Sequence, residues 1–397
     1  MDSPSIRPGS PAPRGAATGG PRRVFVVAGM HRAGTSVVAR GLQALGIELG
    51  DRLMSADQRM NARGFFEDMD IVGQNDALLD ALGADWKNLA LLDGVDWRAP
   101  ALTSLRAEAR QLLEARLAGT GQFGFKDPRV PRLLPFWQGI FAEVGAADAY
   151  VIAVRHPLSV IDSLTARDAL DVRRSGWLWL THLLCALHYT AGRPRVVVDY
   201  DNLLAAPARE LARMAKGLGL PASALTAEDV TKYTRDFLSG ELRHAEHASA
   251  ELDCADVPQL MRDVPQLMRD GCALTRRLAC DDADIGAAAT NAEVGALFGR
   301  LAAMSPLLAY AGAVERAADE VPRLTGELAW ARASIVAASA FNENLQAAIA
   351  IGQTYNDDLV ATLQRKEEEL VAAHAKLARI GERALGRMVL RRIERQP

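Results

Sequence analysis

Val24-Phe25-Val26-Val27-Ala28-Gly29-Met30-His31-Arg32-Ala33-Gly34-Thr35-Ser36 opens as a short β-rich apolar run and ends in a turn bounded by two glycines. Val37, Val38, Leu42 and Leu45 then recur at helical spacing, so the stretch reads as strand, turn and helix. At such a junction Gly34 lets a ligand approach the backbone closely, and the amides of Thr35, Ser36 and Val37 point along the helix axis at an anion. Gly29 and Gly34 have the spacing of a nucleotide P-loop, but Thr35 stands where that loop carries its lysine. The cation lies inside the loop instead, as Arg32, whose guanidinium can hold two oxygens of a terminal phosphate or reach a transferred group. The loop therefore reads as a phosphate holder unsuited to ordinary ATP chemistry. A glycine turn that merely packs a helix on a sheet is the alternative.

The 397 residues exceed one average domain, and 49% hydrophobic with 24% charged residues is ordinary for a soluble globular chain. A net charge of -3 excludes a global attraction to nucleic acid, so any anion site must be local. Cys185, Cys254, Cys272 and Cys280 show neither CxxC spacing nor an adjacent histidine cluster, which reads as reduced thiols and no metal site. No run approaches the roughly 18 uninterrupted apolar residues of a membrane span, and the N-terminus lacks the apolar core of a secretory signal. A cytoplasmic protein is expected, with residues 1–21, rich in Pro, Gly, Ser and Ala, as a disordered leader.

Farther along, a polar segment from Asp51 to Asn61 leads to Arg63-Gly64-Phe65-Phe66-Glu67-Asp68, long enough to suggest a functional loop. Its aromatics and acids fit an acceptor-binding lip in which Glu67 takes a proton, or equally an anchored loop with solvated acids. Helices are expected over Asp70 to Leu82 and Ala101 to Leu117. Phe123-Gly124-Phe125 is a brief strand ending in Lys126-Asp127-Pro128-Arg129, a charge cluster at the strand end where parallel sheets bind ligands. Tyr150 to Val154 is a third strand, ending in Arg155, and Ser163 lies about two helical turns beyond, so that both can face one phosphate. A surface bridge from Arg155 to Asp162 is the plainer alternative. Trp177 to Tyr189 reads as an apolar helix with His182 in the core and His188 at the rim. Arg195 to Val198 is a fourth strand, followed by Asp199-Tyr200-Asp201-Asn202-Leu203-Leu204. Successive strand and helix units predict an α/β fold, a parallel sheet flanked by helices in a P-loop-like three-layer sandwich, over residues 22–250.

Together, Gly29 to Ser36, Lys126 to Arg129, Arg155 with Ser163, and Asp199-Tyr200 resemble the sulfotransferases that use 3'-phosphoadenosine 5'-phosphosulfate, in a bacterial form related to carbohydrate sulfotransferases. The resemblance implies a first loop that holds the 5'-phosphosulfate, with Arg32 replacing the usual lysine and Ala33, Gly34, Thr35 and Ser36 lining it. It implies Arg155 and Ser163 on the 3'-phosphate, while Tyr200 either reaches the adenine side or, equally, packs at the strand end. Pro128 occupies the position of the histidine base of many members, whereas other members use a glutamate from an acceptor loop like Asn61 to Glu67. Glu67 is therefore the expected base, with Asp127 second; a carboxylate beside such cations ordinarily stays ionised and is a weaker base. The implied reaction is in-line attack of an acceptor hydroxyl on sulfur, with Arg32 and Lys126 stabilising the developing charge and no metal required. A glycan or glycoconjugate is the expected acceptor, with a lipid-linked sugar and a small alcohol as the alternatives.

Beyond this domain, Asp256 to Arg262 and Asp263 to Arg269 repeat Asp-Val-Pro-Gln-Leu-Met-Arg, and 251–283 reads as a linker. Residues 284–397 read as a helical extension. Leu363, Leu370 and Leu377 recur every seven residues, with Ala373 and Ile380 three further on, which fits a short coiled coil or a helical hairpin and a homo-oligomer or partner contact. Gly352, Asn342, Asn344 and Asn356 argue against a long continuous coil. Arg379, Arg383, Arg387, Arg391 and Arg395 recur every four residues, as a solvated face or a weak contact with the inner face of an anionic membrane. Two other functions fit parts of the pattern: a P-loop kinase, and a noncatalytic assembly protein acting through its helical tail.

Overall fold

The computed structural model describes residues 21–55, 64–238, 265–281 and 283–382. The first three residues of the acceptor-loop stretch Asn61 to Glu67, the first heptapeptide copy and Arg383 to Arg395 lie outside the described residues. Strands β1 (Arg23–Ala28), β2 (Gln122–Lys126), β3 (Ala147–Val154) and β4 (Arg195–Asp199) form one sheet in the order β2-β1-β3-β4, with every neighbouring pair parallel.

Val24 to Ala28 are fully buried. A central parallel strand covered on both faces has no solvent side, which is why β1 reads as an unbroken apolar run. Its alternating side chains sort into two layers. Val24 and Val26 pack with α2 (Met69–Ala81), α3 (Thr103–Leu117) and α4 (Val130–Glu143). Phe25 and Val27 pack with α1 (Thr35–Ala44), α8 (Pro207–Gly217) and α9 (Ala227–Phe237). The predicted three-layer α/β arrangement is thereby realised. Ala28, Ile152 and Val154 reach a third cluster, shared with α5 (Pro157–Asp168), α6 (Val172–Tyr189), α10 (Pro265–Leu278) and the start of α11 (Ala288–Glu382).

The strand order positions the site. The chain steps from β1 to β2 on one side and then crosses to β3 on the other, so the loops leaving β1 and β3 part at their carboxyl ends, where such sheets leave a crevice.

Two segments differ from their sequence reading. Residues 265–278, inside the stretch read as a linker, form α10, and its Leu267, Met268, Leu274 and Leu278 are core residues. Ala288–Val314 is long and apolar enough by composition to cross a membrane, but Val294, Leu297, Phe298 and Leu301 within it are buried in the same cluster as α6. The chain divides into two compact units, Met1–Ala313 and Val314–Pro397. Within the second, residues 314–382 are helical without a break, so no hairpin forms among its described residues.

The two histidines of α6 take the places expected of them. His188 stacks on Phe298 with ring centroids 3.9 Å apart, and His182 is fully buried. His182 Nδ1 lies 2.7 Å from the Leu178 carbonyl, and burial, reinforced by Arg132, pushes its pKa down to about 3. The folded protein thus holds His182 neutral, and this contribution to stability is complete above the ordinary value of 6.5 and shrinks as the pH falls below it. Asp199, pushed up to about 6 by burial, works in the opposite direction, so the effect of His182 is read as a difference. Urea unfolding between about pH 7 and pH 4.5 is expected to cost the native protein about 2–3 kcal/mol more than the His182→Leu variant. Equal slopes would show that His182 is protonated without cost.

Candidate functional site

The turn after β1 is built by two residues with left-handed backbone. Arg32 has φ 68° and Gly34 has φ 80°, and Gly34 forms the N-cap of α1, which no side chain caps. The start of α1 therefore presents helix amides without a competing side-chain acceptor. Ala33 serves the shape of the turn: its amide donates to the Met30 carbonyl at 3.1 Å and its methyl is in the core. Thr35 is buried, and the Ser36 hydroxyl donates to the Phe65 carbonyl at 3.2 Å.

Arg32 and Ser163 are 131 residues apart in sequence, and Arg32 Nε donates to Ser163 Oγ at 2.6 Å. Arg155, at the end of β3, directs Nη1 at the Arg32 carbonyl, 3.5 Å away. The loop arginine and the Arg155–Ser163 pair, which the sequence reading assigned to different phosphates, thus meet in one cluster. Burial, followed by the nearby Arg167 and Arg155 guanidiniums, lowers the pKa of Arg32. Like charges held this close in a partly desolvated place favour an anion between them. The guanidinium of Arg155 lies 4.6 Å over the ring of Tyr200, a cation–π contact that orients it. Tyr200 is buried and also lies against Gly34, so its ring braces both residues.

At the end of β2 a second group forms. Lys126, 2% exposed, makes an ion pair with Glu67, 6% exposed, and donates to the Phe65 carbonyl at 3.0 Å. Phe65 O thereby ties Lys126 to Ser36 at the start of α1. Glu67 is not solvated, and its pKa is raised rather than lowered, because burial outweighs the opposing pull of Lys126.

Asp127 stands apart from this group. It is fully buried, accepts from the Arg129 amide at 2.8 Å and the Arg129 guanidinium at 2.9 Å, and accepts from Asn75 Nδ2 at 2.9 Å. Asn75 in turn accepts from Trp137 Nε1 at 2.8 Å. Asp127 is committed to a structural network that joins β2, α2 and α4, whereas Glu67 is the carboxylate paired with Lys126.

His31 is a loop residue the sequence reading passed over. Its ring lies tilted against Trp86 with centroids 4.4 Å apart, and burial, with Arg167 next, holds its pKa well below the usual imidazole range. A neutral ring here adds no charge to the arginine cluster. Asp68 was also passed over as an anchor: it caps α2 and pairs with Arg116 at 2.7 Å, fixing the segment that carries Glu67. A capping signal, an acid just before an apolar helix, was legible at Asp68; nothing in the sequence marked His31.

No family model matches the chain, and no curated protein matches it. Among solved structures, the sulfotransferase domain of the Synechococcus PCC 7002 olefin synthase is similar over 70% of this chain and 94% of that domain, at 15% identity and a TM-score of 0.33.

Proposed function

We propose that the chain transfers a sulfuryl group from 3'-phosphoadenosine 5'-phosphosulfate to a hydroxyl of a saccharide. The observation that carries this reading is the convergence of Arg32, Arg155 and Ser163 beside the start of α1, with the Lys126–Glu67 pair at the end of the neighbouring strand. A donor with phosphate groups on both sides of its ribose calls for two anion sites and a proton acceptor near the second.

In this reading Arg32, Arg155 and Ser163 hold the 3'-phosphate through charge-assisted hydrogen bonds. Arg32 thus moves from the 5'-side role implied by the resemblance. The amides of Thr35, Ser36 and Val37 and the Lys126 ammonium hold the 5'-phosphosulfate and stabilise charge developing on the leaving oxygen. Glu67 takes the proton of the acceptor hydroxyl as the oxygen bonds to sulfur, and adenosine 3',5'-bisphosphate departs. A carboxylate with a raised pKa is the stronger base for that step. The saccharide acceptor follows from the resemblance of the sequence to carbohydrate sulfotransferases.

Calorimetry with adenosine 3',5'-bisphosphate tests the donor. The native chain is expected to bind it, and Arg155→Ala to weaken binding by about 10- to 100-fold, the effect of losing one charged hydrogen-bond partner. A folded native chain that does not bind the nucleotide overturns the reading.

A further inference from the structure

Val314–Pro397 is the second compact unit, and its described residues as far as Glu382 are helical throughout. Large apolar side chains recur along it at heptad spacing. Leu328, Ile335, Ile349, Leu363, Leu370 and Leu377 occupy one position, a, and Leu324, Leu345 and Leu359 stand three residues after an a position, at d. All are exposed, Leu328 by 52% and Leu363 by 63%, so the stripe finds no cover within its own helix. At 1.5 Å per residue it is on the order of 80 Å long. A repeat of seven on a helix of 3.6 residues per turn drifts slowly around the axis, and only a supercoiled partner helix can follow it.

We infer that this helix pairs with the same helix of a second copy of the chain, as a parallel, in-register two-stranded coiled coil. The polar residues on the stripe identify the occupant. Asn342 and Asn356 fall on a positions two heptads apart. In a parallel pair a faces a, so identical chains in register set Asn342 on Asn342 and Asn356 on Asn356, each amide donating to the carbonyl of the other. In an antiparallel pair a faces d, and no d position from 317 to 380 is an asparagine. The flanking charges agree. Glu327 at g faces Arg332 at the next e of the partner helix, and Glu369 at g faces His374 at e, while no such pair from 320 to 374 joins like charges. Asn342 and Asn356, two of the three asparagines read as interrupting a coil, are thus the residues that fix its register.

Sedimentation equilibrium of the full chain at micromolar concentration is expected to give twice the 42.7 kDa of one chain. Leu363→Asp combined with Leu370→Asp is expected to return the mass to that of one chain, with the thermal transition of the first unit unchanged. In a background of Cys254→Ser and Cys280→Ser, Asn356→Cys is expected to form an interchain disulfide on mild oxidation. Ala361→Cys, at the outward f position, is expected to form none. A native chain that sediments as a monomer, a dimer that survives the double aspartate variant, or a dimer in which Asn356→Cys does not cross-link would each overturn the inference.

Discussion

Glu67→Gln is expected to slow sulfuryl transfer by about 10²- to 10⁴-fold while leaving the affinity for adenosine 3',5'-bisphosphate almost unchanged. The substitution keeps the shape of the side chain and an oxygen for Lys126, which also retains the Phe65 carbonyl at 3.0 Å. What it removes is the capacity to accept a proton. Because burial raises the pKa of Glu67, the rise of kcat/KM with pH expected of the native chain on the proposed reaction should lie above the ordinary carboxylate value of 4.5, and this limb should disappear in the variant. Lys126→Met separates catalysis from stability. It strands a buried acid that has lost its cation, a change that costs about 3–5 kcal/mol where a buried pair is broken, so this variant should lose stability as well as rate. Turnover by Glu67→Gln at the native rate would remove Glu67 from the mechanism.

The sheet was legible because strands buried on both faces leave apolar runs that end where charged loops begin, as at Ala28 and Val154. The turn from Gly29 to Gly34 was legible because two glycines and a following helix leave a local signature. The assembly of the site was not, since no local pattern brings Arg32 onto Ser163 across 131 residues. The pKa of Glu67 was misjudged for a related reason: adjacency to cations can be expected from sequence, but the burial that outweighs them depends on how Asp68 and Arg116 fasten the segment. The heptapeptide repeat shows the limit of composition. Proline suggested a linker, yet Pro265 opens α10, where a missing amide hydrogen is not required, and Leu267 and Met268 of the same copy are buried. In the tail, Gly352 and the asparagines have low helix propensity, yet α11 runs through all of them.

Gly34→Ala is expected to abolish nucleotide binding and to lower the melting temperature of the first unit, for two reasons that can be measured separately. The backbone at Gly34 has φ 80°, a left-handed conformation that costs an L-residue about 1–2 kcal/mol. In addition, a Cβ built there would lie 2.3 Å from Tyr200 Cδ2 and 3.0 Å from Cγ. Tyr200 cannot simply swing aside, because it is buried and sits under Arg155 at 4.6 Å. Overpacking of this kind adds about 1–3 kcal/mol. Gly46 supplies the control: its φ is also 80°, but a Cβ there meets nothing within 4 Å. Gly46→Ala should therefore show the backbone cost alone, a fall in melting temperature of about 2–8 °C, and keep its affinity for the nucleotide. The additional loss in Gly34→Ala measures the collision with Tyr200, and Tyr200→Ala in the same chain should recover part of the stability but not the binding, since Arg155 then loses the ring that orients it. Equal melting temperatures for the two alanine variants would mean that the Tyr200 ring is free to move and does not brace the loop.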